Sequence, residues 1–147
     1  MTDQTLDNNA VLQQLNKILE LELAGVVRYT HYSFMAVGFG RIPIVSWLRS
    51  QADESMLHAH EAGELVTQLG GEPSLKVGSL LKSVTHDTGK ILKESLAHEQ
   101  GAVVAFDELL KLVQGKSVML EEYASRMVSD ETRHIGDVEK MLRLPGD

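Results

Sequence analysis

Residues 120–142, LEEYASRMVSDETRHIGDVEKML, carry an apolar stripe with helical spacing that Glu131 and His134 interrupt. Met127 and Val138 are apolar positions on this stripe, and Glu131 falls on the same side of the predicted helix. His134 follows Glu131 by three residues, so both side chains project from one side about one turn apart. A buried carboxylate without a partner is costly, so this face requires a compensating cation or hydrogen-bond network.

Three further segments show the same helical spacing of apolar residues, and glycine or proline separates them. Pro43 suits the first turn of the second helix, and Ser117 is the predicted N-cap of the fourth. No segment alternates as a strand does, so the chain is predicted to be an all-α, antiparallel four-helix bundle. Its middle connection is the longest, and residues 1–6 are expected to be flexible. The predicted helices span residues 7–37, 43–70, 85–114 and 117–144.

Composition narrows the classes of function. The 147 residues suit a single domain, and the absence of cysteine excludes disulfides, iron–sulfur clusters and thiolate zinc sites. The net charge of −7 argues against non-specific nucleic-acid binding. The chain has no signal-peptide pattern and no run of about 20 apolar residues. A cytoplasmic protein without a membrane or nucleic-acid partner is therefore expected.

Two more acidic residues interrupt the apolar stripes. Glu22 lies on the stripe of the first helix and Glu99 on that of the third. With Glu131 and His134, they would bring three carboxylates and one imidazole into the core from three helices. The second helix, rich in His and Glu, would complete the ligand set of a two-metal bundle. These ligand types suit iron and manganese, and zinc competes for them.

These segments resemble the bacterioferritins, a family of ferritin-like di-iron proteins. The run from Leu15 to Leu23 resembles the start of that family's first helix, and the runs 96–99 and 130–135 resemble its third- and fourth-helix motifs. The resemblance implies metal ligation by Glu22, Glu99, Glu131 and His134, with Tyr29 beside the metals. It also implies an iron-storage or detoxification protein that oxidises Fe(II) with oxygen or peroxide.

The second helix departs from the family's Glu-x-x-His motif. If His58 is a ligand, the residue three positions before it is Ser55. Glu54, four positions before His58, could supply the carboxylate, and Glu61, one turn after His58, is an alternative. The stripe itself favours an inward Ser55. The ferroxidase centre would then be weak, mononuclear or absent.

Two further expectations come from the resemblance. Met56 falls where bacterioferritins place the methionine that ligates haem between two subunits, although methionine is also a common packing residue. The chain continues for only about a dozen residues after His134, whereas bacterioferritins carry a short fifth helix. A homo-oligomer is expected, either a dimer or a larger shell.

Three alternatives remain open at this point. The chain could be a dimeric haem- or metal-binding protein without ferroxidase turnover, because Ser55 disables one site. It could be a different di-metal oxidoreductase, which an apolar pocket beside the metals would favour. It could also be a structural bundle whose inward acids and imidazoles form a metal-free hydrogen-bond network.

Overall fold

The computed structural model of the protein describes residues 5–80 and 84–146. These residues form four helices and no strand, which confirms the predicted all-α, ferritin-like four-helix bundle. The helices are α1 (Asn8–Met35), α2 (Arg41–Gln68), α3 (Thr88–Val113) and α4 (Val118–Leu142). The expectation of a flexible start falls mainly on residues 1–4, which lie outside the described residues. Among the residues described, no helix is both long and apolar enough to span a bilayer.

Helix α4 starts where the sequence predicts, whereas α2 starts earlier than predicted. The Ser117 hydroxyl accepts a hydrogen bond from the backbone N–H of Leu120 at 3.3 Å, so the predicted N-cap is confirmed. Helix α2 begins at Arg41, before the predicted start at Pro43. The first N–H groups of a helix have no partner within the helix, so a proline anywhere in the first turn costs little.

Helix α3 begins later than predicted. It starts at Thr88, not near Thr85, because the Asp87 carboxylate caps it by accepting a hydrogen bond from the Lys90 N–H at 2.9 Å. Replacing Asp87 with alanine is expected to lower the free energy of unfolding by about 1 kcal/mol. Urea unfolding of the metal-free protein measures this loss. Asp87→Asn keeps an acceptor and should stay close to the unsubstituted protein, and an equal loss in both variants would contradict a capping role.

A polar layer at mid-bundle separates two apolar layers. On α1, the first apolar layer contains Val11 to Leu19 and the second contains Tyr29 to Ala36, with Glu22 between them. On α3, Ile91 belongs to the second layer and the first begins at Ala102, with Glu99 between them. Helix α2 runs through the same layers in the opposite direction. The acidic residues that interrupt the apolar stripes in the sequence therefore lie at one level of the bundle.

The α2–α3 connection is attached along the outside of α1. The Ser74 hydroxyl donates to a carboxylate oxygen of Glu20 at 2.7 Å, and the Gly78 N–H donates to the Glu20 carbonyl at 2.8 Å. Arg28 donates to the Ser79 carbonyl at 2.8 Å. A Cβ atom on Gly78 would lie 2.9 Å from the Glu20 carbonyl oxygen, so only glycine allows this close approach. Residues 74–79 of the connection therefore lie against α1.

Candidate metal centre

Two groups of side chains at mid-bundle could each hold a cation. One group contains Glu22, His58 and Glu131, and the other contains Glu99, Glu131 and His134. Within each group the candidate ligand atoms all lie within 4.8 Å of one another. Glu131 belongs to both groups and is only 2% exposed. A carboxylate shared in this way can place one oxygen on each of two adjacent ions.

His58 lies at the centre of the first group. Its Nδ1 is 3.3 Å from a carboxylate oxygen of Glu22 and 3.5 Å from one of Glu131. Its Nε2 is 3.8 Å from a carboxylate oxygen of Glu54. These contacts join α1, α2 and α4 through a single imidazole.

Glu54 occupies the open edge of the cluster. One of its carboxylate oxygens is 3.2 Å from His134 Nε2, and its side chain is 36% exposed. Glu61 instead forms an ion pair with Arg126 at 3.2 Å on the surface. Ser55 is buried, as the stripe favoured. Helix α2 thus brings Glu54, not Glu61, to the histidines, although Glu54 lies off the stripe.

Tyr29 is connected to the cluster through Glu99. The Tyr29 hydroxyl donates a hydrogen bond to a carboxylate oxygen of Glu99, and both side chains are buried. Burial, followed by the charge of Glu99, raises the pKa of Tyr29 well above its usual value. Tyr29 therefore remains a phenol that holds the Glu99 carboxylate in one orientation.

The metal-free cluster retains protons. Burial, followed by the neighbouring Glu131, raises the pKa of Glu99 to about 8. Burial also raises the pKa of Glu22, although His58 opposes this effect. The carboxylates of Glu131 and then Glu54 raise the pKa of His134 to about 11. Divalent ions would replace these protons, because ligands must be deprotonated to bind.

One buried oxygen supports a cation at this position. Glu131 Oε2 is inaccessible to solvent and has no hydrogen-bond donor among the described residues. Nδ1 of His134 is 3.6 Å from this oxygen, which is too long for a hydrogen bond. An uncompensated carboxylate oxygen is costly in an interior, and a metal ion would satisfy it. The donor set of oxygen and imidazole nitrogen fits iron or manganese.

The six residues predicted as metal ligands are therefore brought together, and their role in ligation stays a prediction. Met56 is half-buried on α2, and haem ligation at Met56 also stays a prediction. His98 lies off the α3 stripe, yet its ring packs edge-on against Tyr29 with the ring centres 5.9 Å apart. The sequence signal for this packing is Gly25, which leaves room on α1 for the imidazole.

Together, the fold and the cluster define a four-helix bundle with carboxylates and imidazoles gathered in its core. A bacterioferritin of Mycobacterium bovis is 28% identical over 146 residues, which cover 91% of this chain and 84% of that protein. A ferritin-like, di-iron-carboxylate protein of Bacillus anthracis superimposes with a TM-score of 0.87 at 19% identity, covering 97% of this chain and 100% of that one. A dodecameric thioferritin of Bacteroides fragilis, a bacterioferritin-related protein, superimposes with a TM-score of 0.85 at 20% identity, covering 94% and 87%.

Residues 12–145 match the Ferritin family, described as the ferritin-like domain. The chain belongs to this family. The resemblance to bacterioferritins that the helix motifs indicated is confirmed.

Proposed function

We propose that the protein binds two Fe(II) ions in the mid-bundle cluster and oxidises them, for storage or detoxification of iron. The shared position of Glu131 carries the proposal, because it allows two ions to be held side by side. The remaining ligands would be Glu22, Glu54, His58, Glu99 and His134. The di-iron-carboxylate protein of Bacillus anthracis, with the same fold, supports iron over manganese or zinc.

The ligand residues would hold the two iron ions and neutralise their charge, and the oxidant would accept the electrons. Four carboxylates balance the increase in charge as Fe(II) becomes Fe(III), and hard oxygen ligands favour the higher charge. With peroxide, the O–O bond breaks, two Fe(II) each lose one electron, and two protons complete two water molecules. Tyr29 would keep Glu99 oriented throughout.

Glu54→Ala tests whether Glu54, which lies off the apolar stripe, takes the role of the Glu that bacterioferritins have at the position of Ser55. Removing Glu54 leaves His134 and His58 without their exposed partner, so we expect one of the two ions to bind about 10–100-fold more weakly. Anaerobic Fe(II) titration gives the stoichiometry and affinity, and stopped-flow absorbance gives the oxidation rate. Asp53→Ala changes the exposed neighbour on the same helix and should leave both unchanged.

Three results would contradict the proposal at different points. No Fe(II) bound by the unsubstituted protein would favour the metal-free structural bundle. Two ions bound without oxidation above buffer would favour a binding protein without turnover. Full occupancy of both ions in Glu54→Ala would remove Glu54 from the ligand set.

We also propose a homo-oligomer. Large apolar side chains are exposed on and beside the α1–α2 hairpin at Phe34, Phe39, Ile42 and Leu57. Exposed apolar side chains that lie together on one surface mark protein–protein contacts. The Bacteroides fragilis relative is a dodecamer, which supports a shell. Native mass spectrometry distinguishes a dimer from a larger shell.

A further inference from the structure

Two polar side chains that make no side-chain hydrogen bond within the described residues meet beside the metal cluster. A Cβ atom on Gly25 would lie 2.7 Å from Ser55 Oγ and 2.9 Å from His98 Nε2, so these two atoms are less than about 6 Å apart. Ser55 is 6% exposed. Within the described part of the chain, neither Ser55 nor His98 makes a side-chain hydrogen bond. A small molecule between the two atoms could therefore reach both.

His98 also lines a groove that opens to solvent. The groove has a volume of about 430 Å³ and lies between α1, α3 and residues 78–79 of the connection. Lys17, Glu20, Arg28 and Ser79 are also among its lining residues. The same imidazole thus borders the groove and brings its Nε2 close to Ser55.

The pair lies close to the metal ligands on each of its helices. Gly25 follows Glu22 by three residues and Ser55 precedes His58 by three, which is a rise of about 4.5 Å along each helix. His98 directly precedes Glu99 in the chain. A molecule held between Ser55 and His98 would be about one helical turn from the cluster.

We propose that Ser55 and His98 form a binding site for hydrogen peroxide, which enters through the groove. A hydroxyl and an imidazole can each donate and accept a hydrogen bond, as peroxide can. Dioxygen gains little from such a pair because it is a poor hydrogen-bond acceptor. Lys17 and Arg28 outnumber the one carboxylate that lines the groove, which disfavours a cation there. Fe(II) has its own approach at the exposed edge formed by Glu54. The effect on iron oxidation that this inference predicts rests on the proposed ferroxidase function. The binding of peroxide does not depend on that function and can be tested separately.

The binding test uses metal-free protein and hydrogen peroxide. The imidazole ¹⁵N resonances of His98 should shift saturably as peroxide is added. Ser55→Ala removes one of the two hydrogen-bonding groups and should abolish the saturable shift. Ser95→Ala is the matched control, because Ser95 is also buried but its hydroxyl donates to the Ile91 carbonyl of its own helix at 2.9 Å. No saturable shift in the unsubstituted protein, or the same shift in Ser55→Ala, would overturn the site.

The kinetic test compares two oxidants in the iron-loaded protein. In Ser55→Ala, the rate of Fe(II) oxidation at low peroxide should fall about tenfold, the effect of losing a hydrogen bond of ordinary strength. The rate with dioxygen should change by less than about twofold. His98→Leu should show the same two effects. Equal slowing with both oxidants would overturn the inference. A peroxide-dependent shift of His98 without any iron oxidation would leave the binding site standing and reject the proposed function.

Discussion

Replacing Glu131 with glutamine is expected to abolish the tight binding of both iron ions. Glu131 is the residue common to the two ligand groups, and glutamine keeps its shape while removing its charge. Loss of a group that merely supports metal ligands typically costs about 10–100-fold in affinity, so loss of a shared ligand should cost at least about 100-fold. Anaerobic Fe(II) titration should show the stoichiometry falling from two ions towards none, and oxidation should slow at least in proportion.

The same variant separates metal binding from folding. An ion at 100 times its Kd stabilises the folded state by about 2.7 kcal/mol, which raises the Tm of a domain of this size by about 5–10 °C. Glu131→Gln should lose this rise. Without metal its stability should stay close to that of the unsubstituted protein, because the substitution removes both the repulsion between Glu131 and the neighbouring buried acids and the attraction between Glu131 and His134.

Glu139→Gln provides the matched control, since Glu139 is exposed on the same helix. It should keep two ions and the full metal-dependent rise in Tm. If Glu131→Gln also kept two tightly bound ions, Glu131 would not be shared between them, and the proposed arrangement of the cluster would be wrong.

The parts of the centre that the sequence predicts are those that lie on an apolar stripe. Glu22, Glu99 and Glu131 occupy positions where the helical repeat requires a core residue, and all three are buried. His134 follows Glu131 by one turn, so its side of the helix is fixed as well. Periodicity was sufficient for these residues because the helices are long and regular.

Other parts depend on packing that periodicity does not describe. Glu54 lies off the stripe, and its carboxylate reaches the histidines from the edge of α2. His98 lies off the α3 stripe, and it packs inward only because Gly25 on another helix has no side chain. The attachment of the connection to α1 includes a backbone hydrogen bond from the Gly78 N–H to the Glu20 carbonyl, and the sequence indicates it only by the presence of a glycine.

The stability of the metal-free protein is expected to fall as the pH rises from about 5 to 8. Glu99, with a usual pKa of 4.5, has a pKa of about 8 in the folded state, so within this window the folded state holds a proton that the unfolded state has lost. His134, with a folded pKa of about 11, acts in the same direction above pH 6.5. When the folded state binds more protons, the free energy of unfolding decreases with pH. The lowered pKa of Glu54 acts oppositely, but mainly at lower pH.

Metal ions should reverse this trend, because they replace the protons on Glu99 and His134 and bind more tightly as the pH rises. The difference in Tm between samples with Mn(II) and with EDTA, measured without oxygen from pH 5.5 to 8.5, should therefore increase with pH. Glu99→Gln removes the titrating carboxyl and should flatten the decline of the EDTA samples between pH 5 and 6.5, and it should leave the smaller decline that His134 causes above pH 6.5. Glu64→Gln, at an exposed position on α2, should keep the decline. A metal-dependent Tm difference that stayed constant across this range would mean that the ions do not displace protons from Glu99 and His134, and it would place the bound metal elsewhere in the bundle.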